Sequence, residues 1–316
     1  MIERGNARGR ACAWLGLGAL LLTACGRTAE HHGGSPSPSL AAPRPDGQTS
    51  PSPTRTPGLD DALTLQLPGA PTRVVTQRSL AELLPGRLRS VTVDSPVYRK
   101  RITYRGYRLG DVLSVARPGG VAEGELEFHC EDGFLPVVPA SLVDELGLFV
   151  AIGEVGLPDG RRWEPPHKGH PETSPAPYYI IGTTTGSYNR FPWPYQVTKI
   201  QGVDFRKTYP DAYPTGAAPD SATWRGFDRF RTTCMGCHSV NLQGGDVGPE
   251  LNVPRNITEY RDRATLIAFI QQPSAFRSRS KMPTLGLKEP EIQELVAYLT
   301  HMKGLKKPAG ATDSAP

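Results

Sequence analysis

Cys234-Met235-Gly236-Cys237-His238 constrains this chain more tightly than any other stretch. Two thiols three positions apart with an imidazole directly after the second form the attachment signature of a c-type haem. Cys234 and Cys237 are suited to add across the two porphyrin vinyl groups as thioethers, and His238 to place a ring nitrogen on the iron from the same face. Two other chemistries use a Cys-x-x-Cys pair, a redox dithiol and half of a zinc site, and neither requires the following histidine. No second cysteine pair is available to complete a zinc site.

The 316 residues suffice for two domains of ordinary size together with unfolded segments. With 38% hydrophobic residues, 34 glycines and 32 prolines, the chain reads as loop-rich and not as a membrane bundle. Residues 1–25 begin basic, run apolar from Ala11 to Leu22 and end in Leu22-Thr23-Ala24-Cys25, the anatomy of an export signal. This ending resembles the lipobox of bacterial lipoproteins, which implies that Cys25 is acylated and becomes the first mature residue. The removed segment carries Arg4, Arg8, Arg10 and Glu3, so the formal charge of +5 falls by 2 to +3. The basic residues are dispersed and no recognition motif accompanies them, which argues against a nucleic-acid partner.

Residues 26–58 are Pro-, Ser- and Gly-rich, as in Ser35-Pro36-Ser37-Pro38, and cannot bury a core, so they are expected to form a disordered tether from a membrane face. His31 and His32 read as a solvated pair within it. Composition turns globular over 59–208. Short β-rich runs at Val91–Val93, Glu125–Phe128, Leu148–Ile152 and Tyr178–Gly182 alternate with turns. Ser79 is expected to cap a short helix over Leu80–Leu84, and Ser141–Leu146 reads the same way. This mixture predicts an α+β module. Cys130 is expected to be a small buried hydrophobe. A metal cluster of His129, Cys130, Glu131 and Asp132 is not expected, because strand alternation sends neighbours to opposite faces. His167 and His170 read as parts of an exposed loop.

Three places in this module resemble the molybdopterin-binding domain of sulfite-oxidase-like enzymes: Tyr104-Arg105-Gly106-Tyr107-Arg108-Leu109-Gly110-Asp111-Val112-Leu113, Phe128-His129-Cys130-Glu131-Asp132-Gly133-Phe134 leading to Val138-Pro139, and Trp193-Pro194-Tyr195-Gln196-Val197-Thr198-Lys199-Ile200. The resemblance implies a site in which a cysteine upstream of the Tyr-x-Gly motif holds molybdenum. Val91–Tyr98 has no cysteine and the export signal has no twin arginine, so no molybdopterin is expected.

Residues 209–220 are Pro-, Gly- and Ala-rich and read as a linker, and 305–316 as a disordered tail. Between them, 221–304 resembles a class I cytochrome c. Gly226, Phe230 and Cys234 fall on one helical face. Gly248-Pro249-Glu250-Leu251 resembles the family's Gly-Pro-x-Leu loop, which implies that the Pro249 carbonyl accepts a hydrogen bond from the ligating imidazole. Ile257–Gln271 is expected to be one helix ended by Pro273, and Glu291–His301 an amphipathic last helix. Lys281-Met282-Pro283 resembles the segment bearing the sixth ligand; Met235 sits between the cysteines and Met302 ends the last helix, which leaves Met282, with His301 as the alternative.

The expected fold class is therefore multidomain, an α+β module followed by an all-α class I cytochrome c domain. The expected function is a membrane-tethered, periplasmic monohaem cytochrome that relays single electrons through a His/Met-ligated iron and is not itself an enzyme. Arg277, Arg279 and Lys281 suggest docking to an acidic redox partner, Arg99–Arg101 with Arg105 and Arg108 a weaker one. The alternative is a molybdopterin-dependent oxidoreductase acting on a sulfite-like oxyanion and passing electrons to its own haem c. A haem sensor would need an axial ligand that dissociates.

Overall fold

The structure, a computed structural model, describes residues 58–95, 98–121, 123–164, 174–278 and 280–307. The signal with Cys25, the tether with His31 and His32, the His167–His170 loop, Arg279 and residues 308–316 lie outside the described residues. No helix among the described residues is long and apolar enough to cross a membrane.

Two sheets build the first domain. In chain order come β1 (Leu63–Gln66), β2 (Arg73–Val75), α1 (Gln77–Leu83), β3 (Arg89–Ser95), β4 (Lys100–Arg108), α2 (Leu109–Ala116), β5 (Glu125–Cys130), β6 (Val137–Pro139), α3 (Leu142–Glu145), β7 (Leu148–Glu154), β8 (Tyr179–Gly182) and β9 (Val197–Val203). One sheet runs β2-β1-β9-β5-β6, with β1 and β9 parallel and its other pairs antiparallel. The other is antiparallel throughout, in the order β3-β4-β7-β8. α2 shows why a helix forms there: Leu109, Val112, Leu113 and Ala116 are spaced to line one face, and all four are buried. α1 corrects the expected cap. Thr76 is the N-cap, accepting from the Ser79 amide, while the Ser79 hydroxyl accepts from the Thr76 amide in a reciprocal capping box.

Alternation along β5 divides its side chains between two jobs. Leu126, Phe128 and Cys130 enter the core between the sheets, and Cys130 is 9% exposed, the buried hydrophobe expected of it. Glu125, Glu127 and His129 point the other way, toward the C-terminal domain. Glu127 is only 3% exposed yet satisfied, because the Tyr209 hydroxyl donates to one carboxylate oxygen and His129 Nε2 lies 2.6 Å from the other. Burial pushes the Glu127 carboxyl up, and the bonds from His129 and Tyr209 with the charge of Lys199 bring it below the usual carboxylate range. Glu125 pairs with Arg231, whose guanidinium also lies 4.2 Å over the Phe205 ring.

The chain then forms α4 (Phe205–Thr208), α5 (Ala222–Arg229), a π-helical turn over Phe230–Cys234, β10 (Ser239–Val240), β11 (Gln243–Gly244), a 3-10 turn over Ile257–Glu259, α6 (Arg263–Gln271), α7 (Pro273–Phe276) and α8 (Glu289–Met302). The stretch read as a linker is packed, not loose. Tyr209 and Ala212 are buried, the Tyr298 hydroxyl donates to the Ala212 carbonyl at 2.7 Å and Trp224 Nε1 to the Ala217 carbonyl at 3.1 Å. The expected single helix over Ile257–Gln271 is two pieces, because Asn256 caps the first turn and Asp262 accepts from the Thr265 amide to start α6 afresh. Pro273 opens α7 and does not merely end a helix. The C-terminal domain is helical, with one small hairpin where the two-residue strands β10 and β11 pair antiparallel.

α5 and α8 cross at Gly226. A Cβ there would meet the Glu294 carbonyl and come within 2.9 Å of the Tyr298 Cβ, so only glycine permits this approach. Phe230 meets the Tyr298 ring at 5.1 Å, and Val137, Val203 and Phe205 of the neighbouring segments join the same apolar cluster. Gly226→Ala is expected to overpack the crossing and destabilise the C-terminal domain by about 3 kcal/mol, read as a lower urea midpoint with an unchanged slope.

Candidate functional site

The cysteine pair sits where α5 widens. From Phe230 the helix adopts a π turn, closed by a Met235 amide bond to the Phe230 carbonyl at 2.8 Å, and π turns recur at functional sites. The amides of Cys237 and His238 both donate to the Cys234 carbonyl, at 3.0 and 2.9 Å, which coils the five residues into one turn. Both thiols are free. Burial pushes Cys234 up to about 12 and Cys237 up to about 11.

His238 Nδ1 lies 2.8 Å from the Pro249 carbonyl. A carbonyl only accepts, so Nδ1 carries the hydrogen and the lone pair is on Nε2. Burial holds the imidazole below its ordinary value, against the opposing pull of the Pro249 bond and Glu250, which favours the neutral, ligating form. Gly248 passes so close that a Cβ would come 2.6 Å from Nδ1 and 2.8 Å from Nε2.

What brings the Pro249 carbonyl to the ring is a polar frame that motif reading missed. The Glu250 carboxylate accepts the amides of Asn241, Leu242, Asn252 and Val253 at 2.7 to 3.1 Å. Behind it, buried Asn252 donates to Asn241 Oδ1 and to the Met302 carbonyl, and buried Asn256 to Asn252 Oδ1 and to the Leu299 carbonyl, all at 2.7 to 2.9 Å. This amide ladder fastens the loop to the end of α8. Its sequence signal is three asparagines, Asn241, Asn252 and Asn256, bracketing the Gly-Pro-x-Leu loop.

Met282 is half-buried and packs, with Cys234, Leu251, Ile267 and Leu287, against the margin of the C-terminal core. Met235 and Met302 are buried within that core. His301 Nε2 is 3.0 Å from the Thr215 carbonyl, engaged with the segment before α5. Cys25 lies outside the described residues.

Residues 224–303 match the family model for cytochrome c. No curated protein matches the chain. The C-terminal region is thus a cytochrome c domain, which implies covalent haem c and supports an electron-transfer role. The donor set fits that group: a neutral imidazole with a free Nε2, two free thiols on one turn beside it, and a thioether at the margin of an apolar wall. Among the described residues no group of three His, Cys, Asp or Glu side chains is placed to hold a separate metal ion.

The surface of the cytochrome c domain carries arginines stacked on aromatic rings. Arg255 lies 5.5 Å over the Tyr260 ring, Arg261 5.1 Å over Phe269, and Phe269 meets Phe276 at 5.8 Å. Tyr260 and Phe276 are 46% and 47% exposed. Arg225, Arg229, Arg231 and Lys306 each pair with carboxylates, whereas among the described residues Arg255, Arg261, Arg263, Arg277 and Lys281 do not. Replacing Asn256 by Ala is expected to orphan buried partners of the amide ladder and cost the domain about 2–3 kcal/mol, measured by urea unfolding.

Proposed function

We propose that this chain is a monohaem c-type cytochrome relaying single electrons on the periplasmic side of a bacterial membrane, to which acylated Cys25 tethers it. Cys234 and Cys237 would hold the haem as thioethers, His238 Nε2 and the Met282 sulfur would be the groups offered to its iron, and the Pro249 carbonyl orients the imidazole and raises its basicity. The observation that carries the reading is the 2.8 Å contact of His238 Nδ1 with Pro249, which frees Nε2 beside two thiols on the same turn. When bound, haem c supplies a one-electron Fe(III)/Fe(II) couple, and filling both axial positions favours electron transfer over oxygen chemistry. The engagement of His301 with Thr215 supports Met282 as the sixth ligand.

We read the first domain as sulfite-oxidase-like in ancestry and give it no molybdenum. Cys130 supports this: its side chain packs with Leu126 and Phe128 in the core, and burial pushes the thiol well above its ordinary value, which disfavours the thiolate that binds metal. The redox partner is an acidic protein surface. Between Arg255 and Lys281 the sequence has six basic residues against two acidic ones, and arginine beside exposed aromatic rings is the usual composition of a binding hot spot.

Met282→Ala is expected to lower the reduction potential and let carbon monoxide bind the ferrous protein at neutral pH; an unchanged spectrum and no carbon monoxide binding would assign the sixth ligand elsewhere. Reversing charge at Arg261 and Arg277 together is expected to slow oxidation by anionic ferricyanide at low ionic strength by roughly tenfold. The same change should speed reaction with a cationic cobalt complex, and both effects should shrink as salt is added.

A further inference from the structure

The first domain reaches the cytochrome c domain at the glycine between the two cysteines. After β5 the chain turns through Glu131–Leu135. The Gly133 amide donates to the Cys130 carbonyl at 3.1 Å, the Phe134 amide to Asp132 Oδ1 at 3.0 Å and the Cys130 amide to the Phe134 carbonyl at 3.1 Å, so the turn is braced within itself. Gly133 has φ +84°, and Asp246 stands where its side chain would be. The turn is also fixed to the first domain, since the Glu131 amide donates to the Gln196 carbonyl at 3.1 Å.

Its tip lies on Gly236. The Phe134 ring covers that residue so closely that a Cβ on Gly236 would stand 2.6 Å from Cε2. The Leu135 amide donates to the Gly236 carbonyl at 2.8 Å. From the other side Gly245 abuts the same carbonyl and donates to the Met235 carbonyl at 2.8 Å, and the Asp246 amide reaches the Gly133 carbonyl at 3.3 Å. Gly236 is held between a ring from one domain and a loop of the other. Beside the turn is a partly open cavity of about 230 Å³ lined by His129, Cys130, Phe134 and Asp246, so Phe134 borders solvent-accessible space on one side and covers Gly236 on the other.

We infer that the Glu131–Leu135 turn is a built-in cap on the cysteine-bearing edge of the haem site, with Phe134 as its positioning residue. The cap fixes Gly236 between Cys234 and Cys237, keeps water from that edge, and leaves the Arg261 and Phe276 face for partners. This rests on the haem reading above. Its energetic consequence has a definite sign. The ferric state carries one more positive charge than the ferrous state, so water reaching the edge favours the ferric state, and a cap that excludes water holds the potential up.

The test uses full-length protein with its covalent haem. Phe134→Ala is expected to lower the reduction potential, to raise the rate of oxidation by ferricyanide severalfold, and to speed hydrogen exchange at the Leu135 amide. Phe134→Leu should fall between it and the wild type in all three. Gly236→Ala should mimic the loss of the cap in the wild-type background and be tolerated better when combined with Phe134→Ala, because the smaller side chain makes room for the new methyl. Should Phe134→Ala fail to fold, Phe134→Leu decides: a smaller shift of the same sign supports the cap, and none overturns it. Covalent haem with an unchanged potential and an unchanged rate of oxidation by ferricyanide in the folded alanine variant would overturn the inference and leave the electron-relay reading intact. A wild-type protein without covalent haem would overturn both.

Discussion

The bond between the His238 ring and the Pro249 carbonyl imposes the strictest geometric demand on this chain. A ring fixed by the turn that carries two cysteines must meet a carbonyl eleven residues later at 2.8 Å. The intervening loop has to fold back closely on that turn, donating from the Gly245 amide to the Met235 carbonyl at 2.8 Å and from the Gly248 amide to the Cys237 carbonyl at 2.7 Å. Glycine at 244, 245 and 248 supplies the clearance, since a Cβ at any of the three would collide with the segment from Gly236 to Ser239. The Glu250 carboxylate gathers four backbone amides, and the ladder from Asn241 through Asn252 to Asn256 ties the loop to carbonyls at the end of α8. α8 in turn is placed by its crossing with α5 at Gly226, and α5 runs straight into the cysteine turn. Packing and hydrogen bonding therefore close a loop that begins and ends at the same five residues.

The parts of this site that short spacing dictates were legible in the sequence. Cys-x-x-Cys-His lies within one turn, Gly226 and Phe230 lie one helical turn apart and meet α8, and Ile292, Leu295, Val296, Tyr298 and Leu299 form the inward stripe of that helix as their period predicts. What escaped was set by single polar side chains or by distant contacts. Asn256 and Asp262 each start a new helical segment inside what apolar periodicity alone reads as one helix. Thr76 and Ser79 both carry a hydroxyl able to cap, and only the reciprocal box shows which one stands outside the helix. The proline- and glycine-rich stretch after Tyr209 reads as a linker by composition, yet its tyrosines carry enough apolar area to be drawn into the neighbouring core. β4 was hidden by charge, because its outward residues include Arg101, Arg105 and Arg108 while Ile102, Tyr104 and Tyr107 are buried.

The seam between the two domains combines an apolar centre with charges that are matched across it. Glu125 meets Arg231, and buried Glu127 accepts from the Tyr209 hydroxyl. Such groups add little net stability over an apolar contact, but they penalise misdocking heavily, since a slip would strand a buried carboxylate. The seam therefore fixes orientation, and orientation is what a turn seated on a single glycine requires. The first domain reads on this account as a permanent neighbour of the cytochrome c domain.

Metal content and intact mass of protein matured in a bacterial periplasm, measured after acid denaturation, test the central claim most directly. The account predicts one iron, no molybdenum, and a chain whose mass includes one haem that acid does not extract. A chain at its bare mass, or haem released by acid, would contradict the assignment of Cys234, Cys237 and His238 on which everything else rests.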